Sequence, residues 1–97
     1  MTVYVDEIID YGWRLGPSCH MFTDDIDLRD LHEIATKIGL RRGWFQERGG
    51  DTPHYDLTES RRLLALKHGA VEVDFLQAVT LWRKRREMVE LRQRMKR

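Results

Sequence analysis

A chain of 97 residues, 41% hydrophobic and 34% charged, is long enough for one small domain and too short for two. Three Trp, three Tyr and three Phe exclude a disordered polypeptide, and the single cysteine, Cys19, excludes an internal disulfide and suits a reducing compartment. The net charge of +1 hides a division: residues 1–82 hold nine Lys/Arg against fourteen Asp/Glu, whereas residues 83–97 hold eight Lys/Arg against two Glu.

Thr2 to Asp6 is rich in β-branched and aromatic residues and predicts a strand ending at Asp6. The same stretch lacks the basic and apolar regions of a signal peptide, and no apolar run reaches the ~20 residues of a membrane span. A cytoplasmic protein with no membrane contact is expected. Ile8 and Ile9 either extend the strand or turn away. Gly12, Gly16, Pro17 and Ser18 predict irregular chain, which puts Cys19 and His20 in a loop.

Leu28, Leu31, Ile34, Ala35 and Ile38 recur at helical spacing. They predict a helix over 28–38, with Asp27 as N-cap, Gly39 past the end and Leu40 closing a Schellman cap. Residues 41–56 are the least regular. Trp44 and Phe45 read as apolar anchors, Glu47 to Thr52 as an exposed loop, and His54-Tyr55-Asp56 as extended chain after Pro53. Thr58 then caps a second helix, through Leu63 to Leu66, that Gly69 ends. Ala70 to Val73 form the second clear strand, with Phe75 as a candidate continuation. Leu76 to Met95 contain no Gly or Pro and predict a long helix. Its first turns carry a stripe of Leu76, Val79 and Trp82. Beyond Trp82 only Met88, Val89, Leu91 and Met95 are apolar, so that part either extends into solvent or pairs with a second copy.

Strand, helix, helix, strand, helix predicts a small layered α/β fold with a short parallel or mixed sheet. The division expected is an α/β domain over 1–75 and a basic helix over 76–97 packed at its start. Two strands make a poor sheet. A third must come from residues 8–22, 41–56 or a second subunit.

Val3-Tyr4-Val5-Asp6, Cys19-His20-Met21, Asp30-Leu31-His32, Ile38-Gly39-Leu40, His54-Tyr55-Asp56 and Gly69-Ala70-Val71 occur in an order and spacing that resembles the domain of unknown function 4031 family, small proteins of bacteria and their phages. The resemblance covers roughly residues 1–75 and leaves out the basic tail. It implies a bacterial or phage origin and assigns no activity.

Asp6, at the carboxyl end of a strand, stands where α/β sheets place ligands, or caps a turn. His20 is a candidate proton shuttle or ligand. Cys19 reads as a small buried hydrophobe. His54 and Asp56, two apart in extended chain, point to one side, and a carboxylate beside an imidazole orients it. The alternative is that Asp56 caps the helix at Thr58 and His54 bonds to backbone. His32 flanks the apolar stripe and either borders a pocket or edges the core, and His68 ends the second helix. No CxxC, HExxH, P-loop or GxGxxG motif is present, so a divalent metal is admitted but unspecified. Arg61 and Arg62 near a helix start are candidates for an anion, and Trp44 for stacking on a ring.

Three functions compete. In the first, Asp6, His20, His54 and Asp56 line one catalytic pocket that binds or hydrolyses a phosphate-bearing, nucleotide-like ligand, with Arg61, Arg62 and Trp44 contacting it. In the second, Arg83, Lys84, Arg85 and Arg86 grip nucleic acid or an acidic protein. The third is homo-oligomer assembly through the last helix.

Overall fold

The computed structural model describes residues 2–12, 14, 16–47 and 52–96. Four strands form a mixed sheet: β1 (Val3–Val5), β2 (Ser18–Thr23), β3 (Tyr55–Thr58) and β4 (Val71–Glu72), in the order β3-β2-β1-β4. β1 runs antiparallel to β2 and parallel to β4, and β2 runs antiparallel to β3. The two strands expected from sequence are therefore adjacent and parallel, and both internal stretches named as sources of a third strand supply one.

The residues read as irregular chain around Ser18 to His20 belong instead to β2, the longest strand and one of the two central ones. Gly16 has φ 78°, a left-handed turn, and the chain straightens immediately after Pro17. His20 is thus a strand residue. Glycine and proline closed the preceding loop and did not extend into the strand.

Alternation along the strands makes two faces. Val3, Val5, Cys19, Met21, Tyr55 and Leu57 are all buried on one of them. Against them pack the helices α1 (Arg29–Lys37) and α2 (Glu59–Lys67), through Leu31, Ala35, Ile38 and Ala65. Burial pushes the Cys19 thiol up to about 12, in keeping with a small buried hydrophobe. The opposite face carries Tyr4, Phe22 and Val73, covered by Ala78, Leu81 and Trp82 of α3 (Phe75–Met95).

The helix ends follow local chemistry. Leu28 occupies the cap position of α1, and Asp27, one residue earlier than a cap, accepts the Arg29 N–H at 2.9 Å and grips its guanidinium. Gly39, at φ 84°, donates to Thr36 O while Leu40 donates to Ala35 O, the two bonds of a Schellman cap. Gly69 and Ala70 repeat this on α2, whose N-cap is Thr58. Phe75 does not continue β4. Asp74 and Gln77 form a capping box that starts α3 at Phe75. Leu76 is 74% exposed, so the buried stripe of α3 is Ala78, Leu81 and Trp82, not Leu76, Val79 and Trp82. Packing of Ala78 and Leu81 on the sheet leaves Leu76, two residues and about 200° round the helix from Ala78, facing outward.

From Glu90 to Lys96 every residue of the C-terminal end is exposed, Leu91 and Met95 included. Glu47 and Thr52 are the described ends of the expected exposed loop. Its residues 48–51 lie outside the described residues, as does Arg97 of the tail. No helix among the described residues is long and apolar enough to cross a membrane.

His32 edges the core, its Nδ1 2.8 Å from the Tyr55 hydroxyl and its ring at 4.6 Å from that of Phe45. Burial, with the Arg42 charge adding, pulls its imidazole below the ordinary value. A histidine depressed by folding contributes stability above its unfolded pKa of about 6.5, and this is lost as pH falls through the folded value. The urea midpoint of the wild type is expected to fall more steeply than that of His32→Phe as pH drops below about 6.5. Parallel midpoint-against-pH curves for the two proteins would contradict this.

Candidate functional site

Asp6 follows β1 and is 4% exposed. Its backbone N–H donates to His20 O at 3.2 Å, as an antiparallel ladder requires. The return bond is different: His20 N–H donates to Asp6 Oδ1 at 2.6 Å instead of to a carbonyl. Asp6 Oδ2 then lies 2.8 Å from His20 Nδ1. One carboxylate holds both the backbone and the ring of His20. The Asp6 carbonyl, freed from the ladder, accepts Arg62 Nε at 2.9 Å.

Register carries the row onward. His20 is paired with Asp56 across β2 and β3. His20 Nε2 lies 4.0 Å, and His54 Nε2 3.5 Å, from Asp56 Oδ1. His54 Nδ1 is 2.6 Å from Thr52 O. A carbonyl only accepts, so Nδ1 carries the proton there. His54 then donates to Asp56 only as an imidazolium. Hydrogen bonding from His54 is the main reason that the Asp56 carboxyl lies below its ordinary value, with Gln46 and the imidazole charges adding and burial opposing. Gln46 Nε2 donates to Asp56 Oδ2 at 2.5 Å. The His20 and His54 rings meet edge to face at 5.0 Å.

Asp6, His20, His54 and Asp56 therefore converge on the α3 face of the sheet, past the end of the cover that α3 provides. Of the alternative reading, Asp56 as a helix cap does not hold, since Thr58 accepts the Arg61 N–H, whereas His54 does bond to backbone, at Thr52 O. Asp56 also lines an open pocket of about 510 Å³, whose other walls include Trp44, Gln46, Thr58 and Arg61. Trp44, read as an apolar anchor, is 48% exposed, with the Arg41 and Arg61 guanidinium groups each 5.7 Å from its ring. A short 3₁₀ turn at Arg42–Trp44 presents it outward.

Arg62 is not in this pocket. Besides the Asp6 carbonyl it reaches Glu72 at 3.6 Å, and its side chain is largely buried, so it braces β1 against α2. Arg85 differs from its basic neighbours in the same way. Its Nε donates to Asp25 O at 2.7 Å, and burial pulls its guanidinium down. Arg83, Lys84 and Arg86 are exposed.

Three residues of the site escape sequence reading. Gln46 comes from the irregular stretch and reaches Asp56 through an isolated bridge between Gln46 and His54. Tyr11 sets its ring 6.0 Å from that of His20, and burial, with Asp6 and Asp56 nearby, raises its phenol. Trp82 was legible only as part of an apolar stripe, yet it stands edge-on to His20 at 5.9 Å. No period or motif announces any of these contacts.

Fold and site together define a small α/β domain with a row of alternating carboxylates and imidazoles across three strands. The chain belongs to the DUF4031 family, described as a protein of unknown function, whose model matches residues 3–85. The match extends beyond residue 75 into the half of α3 that packs on the sheet. No curated protein and no solved structure gives a significant match.

The Asp6 contact fixes the neutral His20 ring with its proton on Nδ1. Two-bond ¹H–¹⁵N spectra are expected to show this tautomer in the wild type and the Nε2–H form as the major one in Asp6→Ala. An Nε2–H tautomer in the wild type would remove the assigned contact.

Proposed function

We propose that the His/Asp row and the adjoining pocket form one site that binds and hydrolyses a phosphate-bearing, nucleotide-like ligand. The observation that carries this reading is the place of Asp56, which touches the imidazole row and lines the pocket beside Trp44 and Arg61. Arg61 donates one Nη1–H to Ile38 O, which aims a guanidinium with five donors, and such a fork suits phosphate. Trp44 offers ring surface to a planar group. A water held among His20 Nε2, His54 Nε2 and Asp56 Oδ1 gives its proton to the cluster as its oxygen attacks phosphorus. The ester P–O bond breaks, and the leaving oxygen is protonated in turn. A cytoplasmic setting and a bacterial or phage source belong to the same reading, supported by the lone buried thiol and the family match.

Titration of the full chain with adenosine monophosphate is expected to shift the amide signals of Gly43, Trp44 and Arg61. Arg61→Ala should weaken that binding about tenfold or more, because a hydrogen bond to a charged group contributes on the order of 1.5–3 kcal/mol. Equal affinity in Arg61→Ala, or shifts elsewhere, would sink the reading.

A second reading is favoured by the exposure of Arg83, Lys84 and Arg86 on a helix that continues away from the sheet. There the tail holds nucleic acid locally, with Arg85 serving as its anchor to the body. Binding to a DNA duplex should weaken steeply with salt, by about 0.9 log units per log unit for each phosphate contacted. Removal of residues 86–97 should flatten the slope, and a lack of binding at low salt excludes this role.

A further inference from the structure

We propose that His20, His54 and Asp56 bind one divalent first-row transition-metal ion, with Zn²⁺ as its representative. The inference rests on reading this row as a functional site and leaves the substrate open; with an ion bound, the two Nε2 lone pairs hold the metal instead of taking the proton of the water. One ligand atom from each of the three lies within 4.8 Å of the others. Tetrahedral bonds of ~2.0–2.1 Å place ligands about 3.4 Å apart. The 3.5 Å and 4.0 Å separations from Asp56 Oδ1 to the two Nε2 atoms are already close to that.

The atoms turned away from this point carry the stronger argument. His20 Nδ1 is held by Asp6 at 2.8 Å, His54 Nδ1 by Thr52 O at 2.6 Å, and Asp56 Oδ2 by Gln46 at 2.5 Å. Each candidate ligand is oriented through its far atom, the arrangement that supports metal sites. With both imidazoles neutral, His20 Nε2 and His54 Nε2 are acceptors beside Asp56 Oδ1. Three acceptors this close need positive charge between them, which a proton donated by His54 supplies, or a divalent ion in its place. Two imidazoles and one carboxylate suit Zn²⁺ or another borderline ion and disfavour Mg²⁺, which prefers oxygen. Three protein ligands leave a fourth position for water, whose pKa such an ion lowers to about 7. Cys19, the one thiol in the sequence, is 1% exposed on the opposite face of the sheet and takes no part.

The test uses the tag-free full chain, freed of metal by chelation and titrated with ZnCl₂ by calorimetry and native mass spectrometry. One ion per chain is expected, with Zn²⁺-dependent shifts at the Nε2 signals of both His20 and His54. His54→Ala and Asp56→Asn should lower the affinity at least tenfold, Gln46→Ala about 10–100-fold, and His68→Ala not at all. Mg²⁺ should not compete. Absence of stoichiometric binding, or shifts confined to His32 or His68, overturns the proposal. The wild-type spectra decide it even if a variant fails to fold. Phosphoester hydrolysis that persists in chelator would overturn the metal alone, whereas Zn²⁺ binding without nucleotide binding would overturn the proposed function alone.

Discussion

The contact on which the site depends is the double hold of Asp6 on His20. A regular antiparallel pair exchanges two backbone bonds. Here the carboxylate takes one of them, and the displaced carbonyl turns to Arg62. The substitution ends the β1–β2 ladder and locks an imidazole at the same step. Because His20 is in register with Asp56, the position of β3 relative to β1 is fixed through that residue. A buried carboxylate is costly unless its oxygens are bonded. Asp6 meets that condition with both.

The sheet separates stability from chemistry. Its α1/α2 face is apolar from β1 through β3, and Val5, Met21 and Leu57 have no measurable exposure. Its other face is divided. Tyr4 and Phe22 lie under α3, while Asp6, His20, His54 and Asp56 lie past the Trp82 end of that cover. Since neighbours in a strand point to opposite faces, Cys19 and His20 belong to different worlds although adjacent. The thiol is sealed beside Arg62, and the imidazole is only partly covered, with 22% of its side chain exposed.

Helices α1 and α2 were legible because their caps are spelled locally. Gly39-Leu40 read as a Schellman end, Gly69 as the stop of the second helix and Thr58 as its N-cap, without knowledge of the fold. β2 was not legible. Ser18 to Thr23 is buried on both faces except at His20, so it shows no alternation, and it follows a turn rich in Gly and Pro. The site residues on strands β1 and β3 could be named from their types and positions. Their convergence depends on register between segments 14 to 50 residues apart, which no local pattern encodes. Arg61 and Arg62 show the limit most clearly. Adjacent on one helix, they leave it about 100° apart, so one meets the pocket and the other the back of β1.

The bridge between Gln46 and His54 closes the chain on itself just before β3. Gln46 and His54 are therefore held together by backbone bonds whatever length of chain joins them. A longer connection between two points fixed in this way is entropically mild, about 0.6 kcal/mol for each doubling. The domain tolerates growth between these two residues without moving the imidazole or the carboxylate that the bridge positions.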